Sequence, residues 1–280
     1  MVGDRTNTIA MRRARFGRRD ALLAIAASLV CATIAAGLGP VRAQTDYTPT
    51  VLITGSNRGL GFEFARQYAA RGWQVIATAR HPDEAADLEA LARHHSNVVI
   101  EQLDVLDHAM IDGLAEKYRG TPIDILINNA GISGGGDTQY FGRIDYEPFD
   151  TVMATNVVGP LKMAEAFLGH VLASRQKKII TISSSQGSIG QVRVGMLYFY
   201  RASKTAVNMV MTNLSRELKP KGVTVALVAP GATDTDFMQG LKIPLGRPED
   251  RVRAMMSVID ELTLEKTGTF TEYSNESLPW

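Results

Sequence analysis

The chain holds one cysteine, Cys31, so no disulfide can close within it and no thiolate set can hold a metal. Its five histidines, His81, His94, His95, His108 and His170, stand in no metal-ligand spacing, and no metal site is expected. His94-His95 reads as a solvated helix end. An excess of one charge is also lacking, since the formal net charge is +1. That balance hides an asymmetry. Residues 1–43 carry seven arginines against two aspartates, and the remainder is mildly acidic. The acidic remainder argues against nucleic acid as a partner. Repeats, low-complexity tracts and interdomain linkers are absent after residue 50. With 45% hydrophobic and 21% charged residues, the composition is that of a globular chain, not a disordered one.

The first 43 residues have the parts of a secretory signal. Arg12, Arg13, Arg15, Arg18 and Arg19 precede the apolar run "ALLAIAASLVCATIAAGLG" at 21–39; Pro40 closes it, and Val-Arg-Ala ends at Ala43. Arg18-Arg19 resembles a twin-arginine signal, although Gly17 stands where Ser or Thr is usual and Ala21 where Phe is usual. Met11 offers a second start. The expected organisation is a signal peptide at 1–43 and one nucleotide-binding domain at 44–280. The protein is then exported or periplasmic, with no stable membrane association once the signal is cleaved. Two alternatives stay open. The run of about 19 residues is long enough to span a bilayer as an uncleaved inner-membrane anchor. A mis-annotated start leaves the protein cytoplasmic.

From Thr50 strand and helix patterns alternate. "TVLITG", "WQVIATA", "NVVIEQLDV", "IDILINNAG", "KKIITISS" and "VTVALVAPG" read as six buried strands. Helical spacing fills 62–71 up to Gly72, then 83–94, 108–119, 147–174 and 200–219. This order predicts an α/β fold: a single-domain Rossmann fold with a doubly wound parallel sheet flanked by helices. Such sheets bind ligands at the carboxyl ends of their strands. "TGSNRGLG" at 54–61 sits at the first of those ends. Gly55 permits a tight turn, and Gly59 and Gly61 let backbone approach a pyrophosphate at a helix N-terminus.

In "YFYRASK", Tyr200 and Lys204 share one helix face. An ammonium beside a phenol favours the phenolate. A fall of about 3 units from the usual value near 10 amounts to about 4 kcal/mol, and Lys204 and a cationic nicotinamide could share it. Read alone, the pair fits a plain surface contact better. Tyr198 has Ala202 four residues on, which carries no charge.

Together the motifs resemble the classical short-chain dehydrogenase/reductase family, over about residues 50–280. They are "TGSNRGLG", Asp104 in "LDV", "NNAG" at 128–131, Asn156 in "ATNVVG", "ISS", "YRASK" and "PGATDT". "YRASK" and the ending "GTFTEYSNESLPW" are similar to the carbonyl-reductase branch that holds the sniffer and C-factor proteins. The resemblance implies that Tyr200 is the general acid or base and that Lys204 lowers its pKa and holds the nicotinamide ribose. It implies that Ser184, second in "ISS", bonds the substrate oxygen. Asn156 is to hold a water linking Lys204 to solvent. The cofactor cleft is assigned to Gly55, Ser56, Asn57, Arg58, Gly59, Leu60, Gly61, Arg80, Asp104, Val105, Asn128, Ala130, Gly131, Tyr200, Lys204, Pro230, Gly231, Thr233 and Thr235. Within it, Asp104 touches adenine, Asn128 braces the central strands and Thr235 binds the carboxamide.

NAD-preferring members carry an acid at the end of the second strand. Here Ala79 and Arg80 stand there, and Arg58 lies in the glycine turn. Two guanidinium groups suit a 2′-phosphate, so NADP(H) is expected, unless both are solvated surface arginines. The implied function is an NADP-dependent oxidoreductase acting on a small-molecule carbonyl or alcohol. The alternative is an NADP-binding redox sensor or signalling protein without turnover. Loops 186–199 and 236–262, with Gln186, Met196, Phe237 and Met238, are expected to line the substrate pocket. The two long helices are expected to pair in a homo-oligomer.

Overall fold

The computed structural model describes residues 47–135, 139–235 and 244–280. The expected signal at 1–43, Phe237 and Met238 all lie outside the described residues. Within the described part, Thr48–Trp280 clusters as one unit. No helix among the described residues is long and apolar enough to cross a membrane.

The chain runs β1 (Thr50–Ile53), α1 (Gly59–Ala70), β2 (Gln74–Ala79), α2 (Ala86–His94), β3 (Val98–Gln102), α3 (His108–Lys117) and β4 (Ile125–Asn128). Then come α4 (Phe149–Met153), a π-turn (Ala154–Val158), α5 (Gly159–Ala173), β5 (Lys178–Ile182) and α6 (Tyr198–Leu218). The last elements are β6 (Thr224–Ala229), α7 (Pro248–Asp260) and β7 (Phe270–Glu272). Among the described residues seven strands make one parallel sheet in the order β3-β2-β1-β4-β5-β6-β7. This is the doubly wound Rossmann arrangement.

Side chains alternate across a strand, and β1 shows the consequence. Val51 and Ile53 join a core beneath α1 and α7 with Phe64, Tyr68, Met255 and Ile259. Leu52 joins a second core on the other face with Ile111, Phe167, Val207 and Met211. Central strands buried on both faces read as continuous apolar runs, which is why they were visible in the sequence.

Three features depart from expectation. β7 and α7 extend the fold beyond six strands and five helices. Residues 248–260, expected within a pocket-lining loop, instead form α7, which buries Val252, Met255, Met256 and Ile259 in the core. The helix expected over 147–174 runs from Phe149 to Ala173 and carries a π-turn at Ala154–Val158.

The strand order reverses between β1 and β4. The chain leaves β1 toward β3, then returns to place β4 on the other side of β1. The loops at their carboxyl ends therefore diverge and open a crevice, the position where such sheets take ligands.

Candidate active site

At that crevice the glycine turn lies against the loop after β4. A Cβ on Gly55, whose φ is +69°, would stand 3.0 Å from the Cα of Ala130. A Cβ on Gly61 would collide with the Gly55 carbonyl and the Asn129 amide. Only glycine fits either place. Thr54 Oγ1 accepts the N–H groups of Asn129 and Ala130, each at 3.0 Å. Asn129 Nδ2 donates to the carbonyls of Thr54 and Gly55. The brace expected of Asn128 is thus shared with Asn129, which the sequence reading did not single out. Asn128 is buried and donates to the Pro160 carbonyl at 3.3 Å. Ser56 is likewise buried, its hydroxyl donating to Ile53, while Asn57 and Arg58 are exposed.

Helix α1 starts with no side-chain cap and no acid in its first turn. Leu60 and Gly61 lie in that turn. N–H groups at such a start, with the positive end of the helix dipole, suit a phosphate. Thr235 places its Cγ2 where a Cβ on Gly59 would lie 3.5 Å away, so the loop after β6 meets the glycine turn. In that loop Pro230 leads into Gly231 (φ +67°), and the Thr233 hydroxyl donates to the carbonyls of both. At the far end of the crevice Leu103 N donates to the Ala79 carbonyl and Gln102 to that of Arg80, so the ends of β2 and β3 are tied. Arg80 is exposed there. Half-buried Asp104 accepts from Leu106 N at 2.9 Å, and Val105 packs under Gly159. The residues expected to hold a dinucleotide therefore lie along one crevice. A cradle also exists beside Lys204, since a Cβ on Gly131 would fall 3.2 Å from Asn156 Oδ1 and 3.8 Å from Lys204 Nζ. These features fit a dinucleotide.

Past β5 the three serines divide. Ser183 extends the β5–β6 ladder, and its hydroxyl donates to Asn208 Oδ1 at 2.6 Å in the core. Ser184 is half-buried, accepts from Gln186 N at 3.1 Å and is hydrogen-bonded to Tyr200. Gln186, expected to face substrate, gives its amide oxygen to Arg201 at 2.7 Å. That pairing ties down its side chain, which stays half-buried beside Ser185 and Arg201.

Helix α6 carries Tyr200 and Lys204 on one face. Lys204 Nζ lies 5.7 Å from the Tyr200 ring centroid and donates to the Ile182 carbonyl at 2.9 Å. The electrostatics differ from expectation. Burial pushes the Tyr200 phenol up to about 12, while the Ser184 hydrogen bond pulls it down. Burial also lowers the Lys204 ammonium to about 8. The ammonium is turned to the Ile182 carbonyl, and burial is the dominant influence on the phenol. A phenol so raised stays protonated at neutral pH.

Asn156 projects from the π-turn, a distortion often found at functional sites. Its Oδ1 accepts from Ile132 N at 2.9 Å, and its Nδ2 donates to Ile132 O at 2.8 Å and Ser203 Oγ at 2.9 Å. Ser203 in turn donates to the Tyr200 carbonyl. Both amide hydrogens are spent, so Asn156 ties the β4 loop to α6.

A family model described as short chain dehydrogenase matches residues 49–244. The C-signal protein of Myxococcus xanthus is 36% identical over 159 residues, which cover 57% of this chain and 93% of that protein. Among solved structures, the NADPH-bound carbonyl reductase from chicken fatty liver is similar with a TM-score of 0.77 and 30% identity, over 83% of this chain and 99% of that one. The carbonyl reductase Sniffer of D. melanogaster is similar with a TM-score of 0.77 and 28% identity, over 84% and 100%.

Proposed function

The chain belongs to the short-chain dehydrogenase family of oxidoreductases, and on that footing we propose that it transfers hydride between NADP(H) and a carbonyl or alcohol. The observation that carries this reading is the convergence of Ser184, Tyr200 and Lys204 beside the glycine turn, at the carboxyl ends of β4 and β5. When bound, the nicotinamide supplies or accepts the hydride. Gly55–Gly61 and the start of α1 would hold the pyrophosphate. In reduction, Ser184 donates to the carbonyl oxygen, and Tyr200 Oη, protonated at neutral pH, gives that oxygen its proton. In oxidation the same oxygen takes the proton back. Lys204 places positive charge near the phenol as it ionises.

The test is NADPH oxidation with a panel of aldehydes and ketones. Tyr200→Phe loses about 10²–10⁴-fold in turnover, the usual weight of a general acid, and still binds NADPH. Wild-type turnover in that variant overturns the assignment. A sensor without turnover is excluded as soon as the unmodified chain oxidises NADPH with any member of the panel.

Exposed Arg58 and Arg80 at the adenosine end support NADP over NAD. Each charge-assisted contact to the 2′-phosphate contributes about 1.5–3 kcal/mol. Replacing both with neutral residues weakens NADPH binding far more than NADH binding, and equal losses refute the selection.

We also propose that residues 1–43 export the protein by the twin-arginine route, which carries folded chains. Folding in the cytoplasm with NADP bound stabilises the domain by mass action before it crosses. Changing Arg18 and Arg19 to Lys, followed by cell fractionation, tests this. A mature form that still reaches the periplasm at its normal level rules the route out.

A further inference from the structure

Helix α6 begins oddly for a helix that carries the reacting phenol. Its N-cap, Leu197, sits at φ +53° in the left-handed region, and no side chain of the local segment caps the first turn. Leucine adopts that region only at a cost. The N–H groups of the first turn nonetheless find an acceptor from a distant part of the chain. Gln139 Oε1 accepts from Phe199 N at 2.9 Å and from Tyr200 N at 3.3 Å. The backbone joins in, because Leu197 N donates to the Gln139 carbonyl at 3.2 Å.

The other end of the same amide points back to the loop after β4. Gln139 Nε2 donates to the carbonyls of Ser133 at 2.7 Å, Gly134 at 3.1 Å and Gly135 at 3.1 Å. The side chain has no exposed surface. Among the described residues, every group bonded to it is uncharged backbone. An orphaned amide in such a place is costly, and here both ends are satisfied. Phe199, between the Gln139 contacts, is clasped on its other side by Tyr146 and Phe149 at ring separations of 5.8 Å and 5.1 Å.

We propose that Gln139 is the positioning residue for Tyr200: its amide is a remote cap that fixes where α6 starts and couples that start to the loop after β4. This rests on the reading of Tyr200 as the proton-transfer group. The chemistry needs a side chain with a donor at one end and an acceptor at the other, at this length. Glutamine has both. Methionine has neither, and glutamate has both only when its carboxyl is protonated.

The test uses the full chain with NADPH and 4-nitrobenzaldehyde as the probe carbonyl. Gln139→Met lowers kcat about tenfold or more, since small misplacements of reacting groups are costly, and leaves the Kd for NADPH near wild type. Gln139→Glu recovers activity at acid pH and loses it as pH rises through its carboxyl pKa, which burial raises. Its kcat relative to wild type therefore falls with pH. A second readout needs no turnover. Tyrosinate absorbance, taken as the difference between each protein and its Tyr200→Phe counterpart, titrates at a different pH in Gln139→Met than in wild type. A lowered melting temperature with kcat, its pH profile and the phenol titration all unchanged overturns the proposal and marks Gln139 as structural only. Failure of both variants to fold by circular dichroism overturns it too, because the residue then supports the fold as a whole. If the unmodified chain turns over no carbonyl but its phenol titration still shifts in Gln139→Met, the functional reading fails while the positioning role stands.

Discussion

Two lysines are buried at opposite ends of the same strand. Lys178 opens β5 and is 7% exposed; Lys204 reaches the Ile182 carbonyl at the close of β5 and is 6% exposed. Burial lowers the pKa of both. Lys178 spends its ammonium on the carbonyls of Ile259 at 2.7 Å and Asp260 at 3.3 Å, at the C-terminus of α7. A helix C-terminus carries partial negative charge, so that lysine is a cap. Lys204 also has a carbonyl partner, but its surroundings include a phenol, the cradle at Gly131 and the Ser184 hydroxyl that bonds the phenol. A buried charge with a perturbed pKa does not by itself mark a reactive site. A neighbour able to exchange protons does.

The comparison is tested hardest by removing each ammonium. Lys204→Met lowers turnover by about 10²–10⁴-fold, in the range of other proton-transfer groups. Ser184→Ala follows at about 10²-fold, the size of a lost oxyanion donor. The Lys204 pKa also sets a pH signature. Its folded value near 8 lies below the ordinary lysine value of 10.5. Between these limits the unfolded chain holds a proton that the folded chain has released, so this lysine's contribution to stability rises with pH across that window. The contribution is complete above 10.5 and is lost as pH falls to about 8. Urea unfolding over the window shows a rise that Lys204→Met flattens. Reduction slows as pH climbs through about 8, where the ammonium beside the phenol loses its proton. A pH-independent rate there means that the charge of Lys204 is not used.

Lys178→Met has the opposite profile. It leaves the Ile259 and Asp260 carbonyls without their donor and costs about 1.5–3 kcal/mol in urea unfolding, the usual weight of a charged hydrogen bond. Turnover of the folded fraction stays near wild type. A variant that keeps its stability but loses turnover breaks the contrast between the two ends of β5.

The sequence showed one of these lysines and hid the other, for a physical reason. Tyr200 and Lys204 lie four residues apart on one helix, so their shared face follows from helical geometry alone. Lys178 gains its role from α7, about eighty residues later in the chain, and no local pattern announces that contact. The six strands from Thr50 to Ala229 were legible as apolar runs. β7, three residues long, offers no such run. α7 did carry a readable signal: Pro248 at its first position, acids at 249 and 250, and apolar spacing at Val252, Met255, Met256 and Ile259. Gln139 was not legible at all, because a lone glutamine in a loop has no periodicity and its partners are backbone groups that only the fold gathers. The burial that raises the Tyr200 phenol was hidden for a similar reason. Adjacency to Lys204 is a sequence fact, whereas burial of the phenol is a tertiary one.

The same contrast recurs within "SSS", one residue apart, and gives the smallest expected effect. Strand alternation turns Ser183 and Ser184 to opposite sides while the strand persists. Ser183 is 2% exposed, with its hydroxyl on Asn208, whereas Ser184 bonds Tyr200. Ser183→Ala removes one buried hydrogen bond and leaves Asn208 Oδ1 without that donor. The cost is about 1 kcal/mol, the net weight of a neutral hydrogen bond. Turnover barely changes, because the Ser183 hydroxyl is spent on Asn208. Parallel urea melts and NADPH-oxidation assays on the two alanine variants decide the register. If Ser183→Ala loses turnover while Ser184→Ala loses only stability, the strand is read one residue out of step, and the hydroxyl that faces the substrate is Ser183.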